Sequence, residues 1–292
     1  MHASGLIREL TAGGVVLTDG AWGTELQARG LETGQMPDFW NLSHPDRVEE
    51  VARAYVDAGS QVILTNTFQA NRVALARHPD VEDVASVNRA GVEISRRAAA
   101  GRARVFASIG PSGKLLMMGQ VDEAALEAAF NEQAQAQADA EPDAIVVETM
   151  SDLNEAKLAV QAAKATGLPV VACMVFDSGK NKDRTMMGVS PEQAAEELTR
   201  LGADVIGANC GNGIEDYIPI CASLARSTEL PIWIKANAGL PVLVDGKVVY
   251  PTTPDEFAGH LPKLLEAGAQ FVGGCCGTSP EFIAALRRRL GD

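Results

Sequence analysis

Eight short apolar runs recur along the chain, each ending in polar or glycine residues and each followed by a stretch with helical spacing. They occupy residues 15–19, 62–66, 105–110, 145–149, 170–176, 205–210, 232–237 and 271–276. Their apolar character is continuous rather than alternating, which marks strands buried on both faces, the condition of parallel strands covered by helices. Start signals place the helices between them. Ser190-Pro191-Glu192, Thr253-Pro254-Asp255-Glu256 and Ser279-Pro280-Glu281 each set a cap residue before proline and an acid. An alanine-rich helix is expected over residues 122–140 and another over 152–165. Eight alternations in 292 residues fit a single-domain (β/α)8 TIM barrel spanning residues 1–292, with the first 14 residues forming a short helix that closes its bottom. A doubly wound sheet fits less well, because Gly20-Ala21-Trp22-Gly23-Thr24 after the first run is not a dinucleotide-binding glycine pattern.

In a barrel of this kind the active site lies at the carboxyl ends of the strands. The chemically unusual residues of this chain fall there: Asp19, Asn66, Thr67, Glu148, Cys210, Asn237, Cys275 and Cys276.

Composition narrows the class. At 46% hydrophobic and 22% charged residues the chain has ample material for a core. Apolar runs fall short of the roughly 18 residues of a membrane span and the start lacks a signal-peptide pattern, so a cytoplasmic, non-membrane protein is expected. A net charge of -13, spread along the chain, argues against nucleic acid as a partner. Five cysteines in this length suggest reduced thiols rather than a disulfide framework.

Two adjacent cysteines, Cys275 and Cys276, make a poor disulfide and a good pair of metal ligands. Cys210 ends an earlier apolar run, so three thiols are expected to converge on one rim. Three thiolates favour zinc over harder cations and leave a fourth position open. A zinc ion so held would ionise an incoming substrate thiol, which makes alkyl transfer to sulfur the natural reaction. Hydrolysis is less natural, because three anionic ligands weaken the metal as a Lewis acid. Cys173 and Cys221 read as core residues.

An amino-acid thiol would need anions for its ammonium, and Asp19 and Glu148 are the candidates. Its carboxylate would need donors, for which the turn at residues 20–24, with Gly23 and Thr24, offers backbone N–H groups. Asn66 and Thr67 either contact substrate or brace the rim, and the Asn237 amide oxygen would approach the metal when substrate is absent. His2, His44, His78 and His260 sit away from strand ends and read as solvated. Trp233 reads as core, Trp40 as a loop residue and Trp22 as a pocket wall. Met117 and Met118 would line the donor's entrance or fill gaps.

Taken together, Asp19-Gly20-Ala21-Trp22-Gly23-Thr24, Thr65-Asn66-Thr67-Phe68, Glu148-Thr149, Gly207-Ala208-Asn209-Cys210 and Gly273-Gly274-Cys275-Cys276-Gly277-Thr278 resemble the homocysteine S-methyltransferase family. The double-cysteine segment with the upstream cysteine is the specific part. The resemblance implies zinc on Cys210, Cys275 and Cys276, with homocysteine sulfur in the remaining position and methionine as product. It further implies that Asp19 and Glu148 hold the amino group, with the first rim turn and Thr67 near the carboxylate. Ala236-Asn237-Ala238-Gly239-Leu240-Pro241 is most similar, within the family, to the homocysteine module of cobalamin-dependent methionine synthase. The sequence ends with the barrel, so the expected methyl donor is either a separate methylcorrinoid protein or a small methylsulfonium such as S-methylmethionine. Two other readings keep the thiols but change their use: a non-catalytic thiol-binding subunit that needs a partner, or a barrel with a structural zinc or redox thiol cluster.

Overall fold

The computed structural model describes residues 4–76, 83–244 and 247–291; His2 and His78 lie outside them. Each of the eight expected runs forms a strand. In chain order these are β1 (Val16–Leu17), β2 (Val62–Leu64), β3 (Arg104–Ile109), β4 (Ala144–Met150), β5 (Val170–Met174), β6 (Val205–Cys210), β7 (Ile232–Ala236) and, after a hairpin described below, β10 (Ala269–Gly274). They form one parallel sheet in the order β1-β10-β7-β6-β5-β4-β3-β2. The sheet curls until its edges meet. Gln61 closes the seam, donating from its backbone N–H to the Leu17 carbonyl at 2.8 Å and accepting from the Leu17 N–H through Oε1 at 3.0 Å.

Strand parity explains the continuous apolar runs. Val62, Leu64, Phe106, Val146, Val171, Val205, Trp233 and Phe271 share one cluster, the barrel interior. Their neighbours Ile63, Val105, Ala107, Ile145, Val147, Val170, Ala172, Ile232 and Ile234 belong to a larger cluster with helix residues such as Tyr55, Phe130 and Leu198. Both faces of each strand are therefore dry, as a helix-covered parallel sheet requires. Trp233 fills the interior, stacked 5.2 Å from Phe271 and 6.1 Å from Phe106. Close strand approach explains Gly207 on the next strand, where a Cβ would lie 2.4 Å from the Trp233 carbonyl oxygen and 2.7 Å from Cys173 Sγ. The helix Gly5–Thr11 plugs the bottom with fully buried Ile7, anchored by the Ser4 N–H on Asp204.

Capping follows the expected chemistry with one exception. Ser190 and Thr253 each form a full capping box, with Gln193 and Glu256, and Asp122 and Asp152 cap Glu123–Ala138 and Leu153–Ala165. Ser279 precedes Pro280–Leu290 but makes no side-chain cap bond. Trp40 is helical rather than in a loop, opening the short helix Trp40–Ser43. His260 is partly buried and pairs with Glu215 at 3.3 Å, so it is less solvated than expected. The β-hairpin formed by β8 (Val242–Val244) and β9 (Lys247–Val249) has no counterpart in the sequence reading. No helix among the described residues is long and apolar enough to cross a membrane.

Candidate active site

Strand register brings the thiols together. On β7, Ala236 pairs with Cys210 of β6 on one side and with Gly274 of β10 on the other, so the residues just beyond these pairs share the rim. The Cys275 N–H then donates to the Ala236 carbonyl at 2.7 Å, and Ala238 N–H to the Cys276 carbonyl at 3.0 Å. The three sulfurs lie within 4.8 Å of one another, the one such cluster of potential metal ligands among the described residues. Cys173 and Cys221 are buried elsewhere, in the barrel interior and on helix Ile214–Ser227.

Backbone conformation is specialised here. Cys210 has φ 67° and Gly211 φ 66°, so two successive left-handed residues turn the chain at the end of β6. Left-handed φ is uncommon and strained for a non-glycine residue, and concentrates at functional sites. Gly274 is required by closeness instead, since a Cβ there would lie 2.3 Å from Thr278 Oγ1. That hydroxyl donates to the Cys275 carbonyl at 2.8 Å and accepts from the Ala21 N–H at 3.1 Å, tying the double-cysteine turn to the first rim loop.

The electrostatics of the trio concentrate one negative charge on Cys210. Hydrogen bonds from Cys275 and Cys276 hold the Cys210 thiol down to about 3. The same bonding to Cys210 pushes Cys275 well up and Cys276 up to about 12, with burial adding to both. One thiolate is thus stabilised at the expense of the other two. Asn237 supplies a second sign of fit. Its Nδ2 donates to the Gly211 carbonyl at 2.5 Å, while its Oδ1 is buried without a partner beside the trio. Three soft sulfurs and one orphaned amide oxygen are a donor set suited to zinc.

Beside the thiols a cavity of about 320 Å³ opens at the strand ends, bordered by Cys210, Cys275, Cys276, Glu148, Lys235 and Trp22 among others. Glu148 is buried, accepting from Ser108 Oγ at 2.5 Å and from Asn209 Nδ2 at 3.2 Å. Burial pushes its carboxyl up, with Lys235 and the Ser108 bond opposing. Gly23 and Thr24 also border the cavity, in the first turn of helix Trp22–Ala28. Asn66 borders it while its amide nitrogen braces Pro37 and Asn41.

Other expected contacts lie behind the wall. Thr67 is fully buried, its hydroxyl bonded to Thr65, the Ser108 carbonyl and Gln137. Asp19 is fully buried too. Its Oδ1 accepts from Lys235, and its Oδ2 accepts from Trp22 Nε1 and the Leu64 N–H, each at 2.7 Å. Met117 and Met118 stand exposed outside the cavity lining.

Four residues of the site escaped the sequence reading: Lys235, Asn209, Ser108 and Asp38. Lys235 had a signal, being a single charge in an apolar run and two residues from inward-facing Trp233, hence on the interior face. Although burial alone would lower it, Asp19 and Glu148 hold its ammonium raised. Asp38, on the cavity wall, is pushed up to about 6 by burial, with the Gln69 N–H opposing.

A closed parallel barrel with a three-thiol cluster beside a cavity at its carboxyl rim defines a TIM-type barrel whose rim could hold a metal ion. A family model described as homocysteine S-methyltransferase matches residues 16–290, and the chain belongs to that family. It is 34% identical to a methionine synthase of Mycobacterium tuberculosis over 299 residues, covering 95% of this chain and 25% of that protein. It is 28% identical to betaine–homocysteine S-methyltransferase 1 of Danio rerio, covering 98% of this chain and 75% of the relative. The chain thus spans about a quarter of the length of the methionine synthases it matches. Among solved structures, the metallated form of the homocysteine methyltransferase MmuM from Escherichia coli superposes with a TM-score of 0.80 at 25% identity, over 94% of this chain and 96% of that one.

Proposed function

We propose that this chain transfers a methyl group to the thiol of homocysteine, giving methionine, with zinc held by Cys210, Cys275 and Cys276. The observation that carries this reading is the meeting of three sulfurs within 4.8 Å at the edge of a cavity that also holds a buried carboxylate. When bound, zinc would supply the positive charge that ionises an acceptor thiol whose ordinary pKa is ~8.5. The protein's own residues do the rest. The first helical turn at Gly23 and Thr24 faces the acceptor's carboxylate, so the sulfur is aligned before the methyl group arrives, with Glu148 on the wall beside its amino end. Asn237 steadies Cys210, whose thiolate accepts from its side chain. The thiol proton passes to solvent, sulfur supplies the electron pair of the new S–C bond, and the donor keeps the pair of the bond that breaks.

For the donor we propose a methylcorrinoid protein that docks on the rim. Met117, Met118, Met186, Leu240, Leu243 and Val248 are all more than half exposed, and all lie in segments between the end of a barrel strand and the next α-helix. An apolar rim of this extent fits a macromolecular partner better than a small cation. The test is methyl transfer to homocysteine from methylcobalamin, a methylcorrinoid protein and S-methylmethionine, with zinc measured on the same sample. Turnover with zinc near one equivalent supports the reading, and best turnover with the corrinoid protein supports the donor. A chain that binds zinc and thiol but turns over no donor would be a binding subunit instead.

A further inference from the structure

Lys235 is 2% exposed, yet it borders the cavity. Its ammonium is bonded to Asp19 Oδ1, and Asp19 Oδ2 is taken by Trp22 Nε1 and the Leu64 N–H. Asp19 does not border the cavity at all. One of the two anions suited to a substrate ammonium is therefore already neutralised by a cation built into the strand. The other, Glu148, accepts one hydrogen bond on each oxygen and lies in the field of that same lysine. At the thiol end of the cavity an incoming ammonium meets Glu148, partly satisfied, and the like charge of Lys235, whereas a carboxylate meets a buried cation there.

We propose that Lys235 is a specificity-determining residue that makes the acceptor's amino group dispensable, so that the site takes mercaptocarboxylates lacking an α-ammonium about as well as homocysteine. The inference rests on the thiol-acceptor reading above and defines its substrate class. Ammonium recognition normally gains from two carboxylates closing on one cation. Here the lysine supplies that cation itself, at fixed position and with no substrate entropy to lose.

The test is calorimetric binding of homocysteine and of 4-sulfanylbutanoate, which differs only in lacking the amine, to the zinc-loaded full chain. Dissociation constants within about tenfold of each other are expected; a preference for homocysteine beyond tenfold would overturn the inference. Lys235→Met removes the like charge from the cavity wall, and should shift the ratio towards homocysteine by about tenfold or more. An unchanged ratio in a folded variant would also overturn it. Because that substitution leaves a buried carboxylate unpaired, the wild-type comparison stands as the deciding measurement if the variant does not fold. Binding of homocysteine alone would sink this inference and leave the thiol-acceptor reading intact. If neither thiol bound, both would fall together.

Discussion

Asn209 and Thr149 clasp each other across the barrel rim through two hydrogen bonds. Asn209 Oδ1 accepts from the Thr149 N–H at 2.7 Å, and Asn209 Nδ2 donates to Thr149 Oγ1 at 2.6 Å. Each partner adjoins a residue of the candidate site, Cys210 on one side and Glu148 on the other. The clasp joins two left-handed positions, Thr149 at φ 59° and the residue after Asn209, Cys210, at φ 67°. It links the thiol cluster to the buried carboxylate as one unit.

Asn209→Ala should therefore loosen both at once. The change leaves the Thr149 N–H without its partner and removes a donor from Glu148, at a cost of about 1–3 kcal/mol. A lower urea midpoint with an unchanged m-value, together with weaker homocysteine binding, is the expected outcome. Wild-type values for both would show that the clasp is incidental.

Loading with zinc should release about two protons near pH 7. Cys210 is already held down to about 3, whereas Cys276 is pushed up to about 12 and Cys275 well up, so two thiols remain to be deprotonated. Calorimetry in buffers of different ionisation enthalpy measures the number. Release of no protons would mean that the trio does not bind as three thiolates.

Asp38 should make the fold sensitive to mild pH. Its folded pKa of about 6 stands above the usual 3.8, so the folded state binds the proton more tightly and stability is lost as pH rises from about 4 through 6. The shift of about two units corresponds to about 3 kcal/mol. Asp38→Asn keeps an acceptor for the Gln69 N–H and should flatten that slope, ending more stable than wild type at pH 7. Unfolding free energies of the two proteins between pH 4 and 8 check this. Parallel curves would contradict it.

The fold was legible because two-sided burial leaves a simple trace: eight apolar runs, each with a polar end, give both strand positions and the rim. The thiol cluster was legible because three cysteines occupied ends of those runs, and Cys210 and Gly274 prove to pair with the same Ala236. Asp19 shows where reading stops. A carboxylate at a strand end looks alike whether it faces substrate or is neutralised from behind, and the difference lies in Lys235, 216 positions away in the chain. Thr67 is similar, since its hydroxyl is committed to groups from two other elements, Ser108 and Gln137. The hairpin at β8 and β9 left little pattern because Val242, Leu243, Val248 and Val249 are exposed, where periodicity carries no core signal.

The central claim is that three cysteine sulfurs hold zinc with one position left for the acceptor. X-ray absorption at the zinc edge, with and without homocysteine, measures the ligand set directly. The account predicts three sulfurs and one lighter atom in the free protein, becoming four sulfurs when homocysteine is added, at Zn–S distances of about 2.3 Å. A set unchanged by homocysteine, or one with fewer than three sulfurs, would contradict it.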